Sequence, residues 1–254
     1  MHNNSIYCVK PDNAVDKEAG LFRRTDYNFA EEAAALGAEV QATASGFSNV
    51  IPFINSPEQL SCIPRLSQSE KIKNTLAQVK ELSKEKPFMA NAIAPYSLLS
   101  MLASAKFNTW LVRYPNETLS ALRFLAEELA WYIPELFTAG AKVVSLSDPH
   151  AQRNIIGDSR FREFCAESQM TLLKQILKIN AKGVLHLCPY CFMPLEEYGL
   201  IGIKEKKTAN ETYEHSLLTA AENADETVLI GRQCPHTKRA DFIYYLSVCC
   251  TATG

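Results

Sequence analysis

Apolar residues recur at helical spacing in three long stretches of the chain. Ile72, Leu76, Val79 and Leu82 share one face after Ser67-Gln68-Ser69-Glu70, whose capping-box form predicts a helix start. Leu119, Leu122, Leu125, Leu129 and Ile133 repeat the pattern beyond Asn116, and Pro134 is expected to kink or shorten that helix. Asp158 reads as the N-cap of a third helix that runs to about Asn180, with Gly183 shortly past its end. Between the helices lie short apolar runs of strand character: Glu39–Ala42, Phe88–Ile93, 142–146, 183–188, 200–203, 227–230 and Phe242–Val248, with 5–9 as a weak eighth.

Seven or eight strands alternating with helices over 254 residues fit an α/β fold, a (β/α)8 barrel in one domain whose first 25 residues are poorly defined by pattern. A doubly wound open sheet is the alternative, but no strand is followed by a G-x-G-x-x-G or G-x-x-x-x-G-K-[ST] loop. The polar residues fall together on this scheme. Asn91 closes "FMAN", Asp148 follows "KVVSLS", His186 and Cys188 close "GVLHLC", and Cys234 follows "TVLIGRQ". Each stands at or just beyond the C-terminal end of an expected strand, and in a barrel those ends share the rim where sites are built. Asn91 is accordingly taken as a cofactor-contacting residue.

Charge narrows the partners. A net charge of −2, with 26 basic and 28 acidic residues interspersed, gives no footprint for a nucleic acid. The opening "MHNNSIYCVKPDNAVDKEAG" lacks the apolar core of a signal peptide, and the most apolar window, 88–105, is broken by Asn91, Pro95 and serines. No membrane span is expected, and a cytoplasmic location is. Eight cysteines in such a chain are too sparse for a disulfide framework and read as reduced thiols, some of them metal ligands.

Three of the ligand-type residues sit in "HLCPYC", residues 186–191. Side chains alternate along a strand, so His186 and Cys188 face one side, roughly 6–7 Å apart, and can converge on a tetrahedral ion. Cys191 lies beyond Pro189 in an expected turn and can join them, since C-x-x-C is also a zinc-knuckle spacing. Catalytic zinc, structural zinc, a redox dithiol and inert cysteines all remain open on spacing alone. Cys62 and Cys165 read as small buried hydrophobes, His215 as surface, and His150 as either rim surface or site wall. Cys249 and Cys250 end the last strand as core or tail, one of them within possible reach of a metal, and Cys8 falls in a segment with no assignable element.

Taken in order, these motifs resemble a known family. "HLC" followed much later by "IGRQC" resembles the H-x-C…C zinc pattern of the methylcobalamin-dependent methyltransferases in the uroporphyrinogen decarboxylase superfamily. "FMANAIAPYSLLSML" resembles a strand and turn of that family, with Ala94-Pro95 where Gly-Pro is usual. "LFTAGAKVVSLSDPHAQRNIIGDSRFREF" and "FIYYLSVCC" resemble two later segments, so the likeness runs from about residue 30 onward. It implies a TIM-type barrel, shortened at both ends, with zinc on His186, Cys188 and Cys234 and an open fourth position for a thiol. Asp148 is implied as a substrate-orienting or ligand-supporting group. The implied reaction moves a methyl group between a corrinoid on a partner protein and a thiol such as coenzyme M or a methylated small molecule. Methyl transfer from folate to homocysteine, as in methionine synthases, and a non-catalytic corrinoid-protein-binding or zinc-binding module are the alternatives. The arginine-rich substrate motif of true decarboxylases is not seen, which disfavours porphyrinogen decarboxylation. A trimmed barrel is expected to expose apolar surface and so to form a homodimer or bind a partner.

Overall fold

The computed structural model describes residues 20–24, 30–42, 48–208 and 212–249, apart from the side chains of residues 42, 48, 190 and 191. The elements begin with β1 (Arg23–Arg24), α1 (Ala30–Ala35), β2 (Glu39–Ala42), β3 (Ser48–Ile51), α2 (Glu70–Leu82) and β4 (Phe88–Ile93). Next come α3 (Pro95–Leu102), α4 (Phe107–Arg113), α5 (Pro115–Thr138), β5 (Ala141–Ser147), α6 (Arg153–Ile156) and α7 (Asp158–Arg160). A π-helical turn over Phe161–Ala166 leads into α8 (Glu167–Ile176), followed by β6 (Gly183–Leu187), α9 (Pro189–Glu197) and β7 (Ile201–Lys207). The series ends with α10 (Tyr213–Glu222), β8 (Thr227–Gly231) and β9 (Phe242–Val248). The expected strand at 5–9, with Cys8, and Cys250 lie outside the described residues.

The expected α/β architecture is present, with a parallel sheet at its centre. Strands β1, β4, β5, β6 and β8 run parallel, and the full order is β1-β4-β5-β6-β8-β9-β7. Strand β9 is antiparallel to both β8 and β7, so the last expected barrel strand enters the sheet reversed. Among the described residues the sheet has two edges, β1 and β7, and does not close into a ring. Strand β2, expected in that sheet, instead pairs antiparallel with β3 in a sheet of its own.

Helices cover both faces of the sheet, which is why the central strands are apolar almost without alternation. On one face Ala90, Val144, Leu146, Leu185, Leu187 and Leu229 pack into the larger core with α5 and α8. The other face, with Met89, Val143, Val184 and Ile230, packs against Tyr213, Leu217, Ala220 and Ala221 of α10. In helix α5, Leu122, Leu125, Leu129 and Ile133 are buried as their spacing requires, and each contributes roughly 1.5–3 kcal/mol of apolar burial. Pro134 does not end that helix, which runs on to Thr138. The stop comes at Gly140, whose φ of 116° favours a residue without a Cβ and whose Cβ would stand 2.2 Å from Ser83 Oγ.

Three further expectations are revised. Ser69 begins α2 without a side-chain cap bond, so the capping box does not form there. Gly157, not Asp158, precedes α7, and Asp158 instead accepts from Tyr198 Oη and pairs with Arg162. Strand β7 extends through the lysine-rich run to Lys207, because an edge strand can hold charges in solvent while its backbone pairs on one side.

Candidate functional site

Sheet register builds the site before any side chain is considered. Asn91, Ser145, His186 and Ile230 are aligned across β4, β5, β6 and β8, one residue per strand, near the C-terminal ends of those strands. Ser145 and His186 are fully enclosed, and Asn91 is half-buried. The row faces α10, whose Tyr213 ring meets the His186 imidazole edge-on with centroids 6.0 Å apart.

Both ring nitrogens of His186 are engaged. Nε2 lies 2.7 Å from the Gln233 carbonyl oxygen, which can only accept, so Nε2 carries the proton and donates. Nδ1 is then the acceptor and takes the Ser145 hydroxyl at 3.1 Å. Burial lowers the pKa of this imidazole to about 4, and it is neutral near pH 7.

The other expected ligands stand apart from that ring. The strand ends at Leu187, and Cys188 turns out of it as the residue preceding α9: its N–H donates to the Leu146 carbonyl and its carbonyl accepts from Phe192 N–H. Strand alternation therefore does not carry from His186 to Cys188, which is 4% exposed and packs into the larger core. Cys234 is half-buried in the turn after β8, directly beyond the Gln233 carbonyl that holds His186. Burial, and to a smaller degree the Cys234 thiol, raises the pKa of Tyr213, whose hydroxyl donates to the Gly231 carbonyl. Among the described residues no three His, Cys, Asp or Glu side chains are grouped so as to hold a metal ion. His186, Cys188 and Cys234 are suited to zinc in kind, but their arrangement here does not fit one.

Asp148 is wholly buried. Oδ1 accepts from the Ser97 N–H and Oγ–H at 2.8 and 2.6 Å, and Oδ2 accepts from Gln169 Nε2 at 2.8 Å. Burial raises its pKa to about 6 against the opposing pull of these bonds. Ser97 Oγ also accepts the His150 N–H, and the exposed His150 ring meets Ser100 Oγ at 3.1 Å. Asp148 thus ties the start of α3, the rim after β5 and α8 together, which is the bearing of a positioning residue.

Several members of this constellation carried no motif. Ser145, Gln233 and Tyr213 became visible only through register and the packing of α10, although Ser145 is a polar residue between the apolar Val144 and Leu146 of β5. Apart from that constellation, Glu32 is buried in α1, accepts the Ile93 N–H at 3.2 Å, and has a pKa raised by burial to about 7. Of the remaining cysteines, Cys165 is buried as expected, while Cys62 is exposed. Cys249 lines an open groove of about 420 Å³ with Met170, Lys174 and Leu200. His215 lies at the surface. No helix among the described residues is long and apolar enough to cross a membrane.

The model of the uroporphyrinogen decarboxylase (URO-D) family matches residues 27–233. Two curated relatives, both named methylcobamide:CoM methyltransferase MtaA, come from Methanosarcina barkeri and from its strain Fusaro. Each is 27% identical over 165 residues, which cover 61% of this chain and 47% of the relative. This chain therefore spans about half the length of the curated relatives it matches. A solved methyltransferase from Methanosarcina mazei shares the fold, with a TM-score of 0.58 at 22% identity over 69% of this chain and 53% of that one.

Proposed function

The chain belongs to the uroporphyrinogen decarboxylase family, and from that membership we propose that it takes part in methyl transfer between a corrinoid and a small molecule. The carrying observation is the 165-residue match to methylcobamide:CoM methyltransferases, alongside a family match over residues 27–233 that takes in the strands bearing Asn91, Ser145 and His186. The corrinoid would arrive on a partner protein, and a thiol of the coenzyme M type would be the acceptor. Zinc on His186, Cys188 and Cys234 belongs to this proposal on donor type alone, two thiols and an imidazole, and would require those three groups to be brought together.

The chain's own residues contribute orientation and dryness. Burial keeps His186 neutral, the Gln233 carbonyl fixes its tautomer, and the Tyr213 ring packs edge-on over it. Asp148 acts through Ser97, holding the backbone of His150 at the rim. The assay is direct: methylcobalamin mixed with coenzyme M and the purified, zinc-supplemented protein, followed by visible absorbance. Loss of the methyl–cobalt band above the protein-free rate is the expected result. A rate equal to the blank, with coenzyme M and with homocysteine alike, would remove the catalytic reading.

One structural feature favours a second reading. Helix α10 covers the sheet face that bears His186, so Ser145 and His186 are shut off from bulk solvent. A module that binds a corrinoid protein without catalysis fits that closure. It would bind such a partner in a pull-down or titration calorimetry while leaving the methyl–cobalt band untouched.

A further inference from the structure

Strand β7 is an edge of the main sheet, and among the described residues its outer side pairs with nothing. Its register with β9 fixes which backbone groups that side offers. Thr208 N–H donates to the Asp241 carbonyl and Cys249 N–H to the Leu200 carbonyl, one at each end of the ladder. Pairs of the same parity exchange the ladder bonds between them: Gly202 with Ser247, Lys204 with Tyr245 and Lys206 with Ile243. Ile201, Ile203, Glu205 and Lys207 therefore turn their N–H and C=O groups away from β9, at the spacing an added strand requires.

The side chains along this edge are charged. Lys204, Glu205, Lys206 and Lys207 are all exposed. Lys204 stands beside Tyr245 and Lys206 beside Ile243, on the sheet face that α10 covers further along. Exposed Lys238 and Arg239 precede β9, and Thr208 ties their turn to the end of β7 through the Ala240 and Asp241 carbonyls. Among the described residues none of these five cations is in an ion pair, although the chain as a whole carries a net charge of −2. Lysines on an edge deter strand addition by like charge. They repel a second copy of β7 and attract a strand of opposite charge.

We propose that β7 is the docking edge for an acidic, extended segment of a partner protein, which adds a strand to the sheet. Main-chain bonds to Ile203, Glu205 and Lys207 supply affinity, and two carboxylates at alternate positions, facing Lys204 and Lys206, supply specificity. A nucleic acid fits less well, because cations gathered at one strand end form no track along a phosphate backbone. An anionic membrane would use the charge and leave the backbone edge unpaired. Strand β7 runs in the same direction as β8, through the reversed β9, so the docked segment reaches the rim where the turn after β8 holds His186. The inference stands apart from methyl transfer, since docking needs neither corrinoid nor thiol.

The test uses the full chain and a fluorescent peptide that alternates glutamate with valine, followed by anisotropy at low salt. Saturable binding is expected, weakened about tenfold in the double variant Lys204→Glu, Lys206→Glu. The same peptide methylated on alternate backbone nitrogens keeps every charge, loses the main-chain bonds and should not bind. In hydrogen exchange the amides of Ile203, Glu205 and Lys207 should gain protection with peptide, while those of Lys204 and Lys206, already bonded to β9, should not change. No binding of the unmodified peptide, equal binding of the methylated one, or an unchanged affinity in the double variant would overturn the proposal. Tighter binding of a single-stranded oligonucleotide or of phosphatidylserine vesicles than of the peptide would overturn it in favour of those ligands.

Discussion

Asp148 carries an ionisable group where burial most opposes a charge. Its pKa of about 6, against an ordinary 3.8, means that the native state holds a proton the unfolded chain has already released between these two values. The native state binds more protons across that window, so the contribution of Asp148 to stability is full below pH 4 and is lost as pH rises through about 6. The size is on the order of 3 kcal/mol. Asp148→Asn should therefore flatten the pH dependence of denaturant-determined stability between pH 4 and 6. It should be tolerated near neutrality, because Gln169 Oε1, a buried acceptor without a partner here, can receive the new amide once the Gln169 side chain turns over. Glu32 repeats the case at higher pH. Its pKa of about 7 places the same loss between pH 4.5 and 7, and Glu32→Gln, which keeps an acceptor for the Ile93 N–H, should remove it in the same measurement.

Among the elements, α5 and the glycine that ends it bear the firmest expectations. Leu125→Ala should cost about 2–5 kcal/mol in urea denaturation, the range for a leucine emptied from a close-packed interior. Gly140→Ala should cost about 1–3 kcal/mol by pairing a left-handed backbone with a clash against Ser83. Adding Ser83→Gly should recover only the part due to the clash. These elements were legible in the sequence because a 3.6-residue period is written within one segment: Leu122, Leu125 and Leu129 state their face without reference to anything distant. The strands were legible as runs but not as neighbours. Nothing in Glu39–Ala42 tells it to pair with Ser48–Ile51, and nothing in Phe242–Val248 sets its direction, since both depend on partners chosen in three dimensions. The same limit applied to the site. His186 and Asp148 were marked by motif, whereas Ser145 and Gln233 are partners of His186 only because register and the turn after β8 bring them there. Cys188 was misjudged in direction because alternation was carried one residue past the end of β6.

For the molecule as a whole, the two sheet faces are unequal. One is sealed by several helices and the other largely by α10, so access to His186 from that face depends on α10 and on the turn that carries Gln233. Tyr213→Ala should open that face. Modification of His186 by diethylpyrocarbonate, mapped by mass spectrometry, should be negligible in the unaltered protein and rise several-fold in the variant, with a lowered melting midpoint. Strand order has a different outcome. Among the described residues β7 pairs only with β9, and β9 reaches the sheet only through β8. During synthesis residues 201–207 leave the ribosome well before residues 242–248 exist, so β7 must wait with its backbone unpaired while β4, β5 and β6 can already assemble. A nascent chain stalled between Gly231 and Phe242 would hold a parallel sheet and a loose lysine-rich strand, and in the cell that interval is where chaperones would find it.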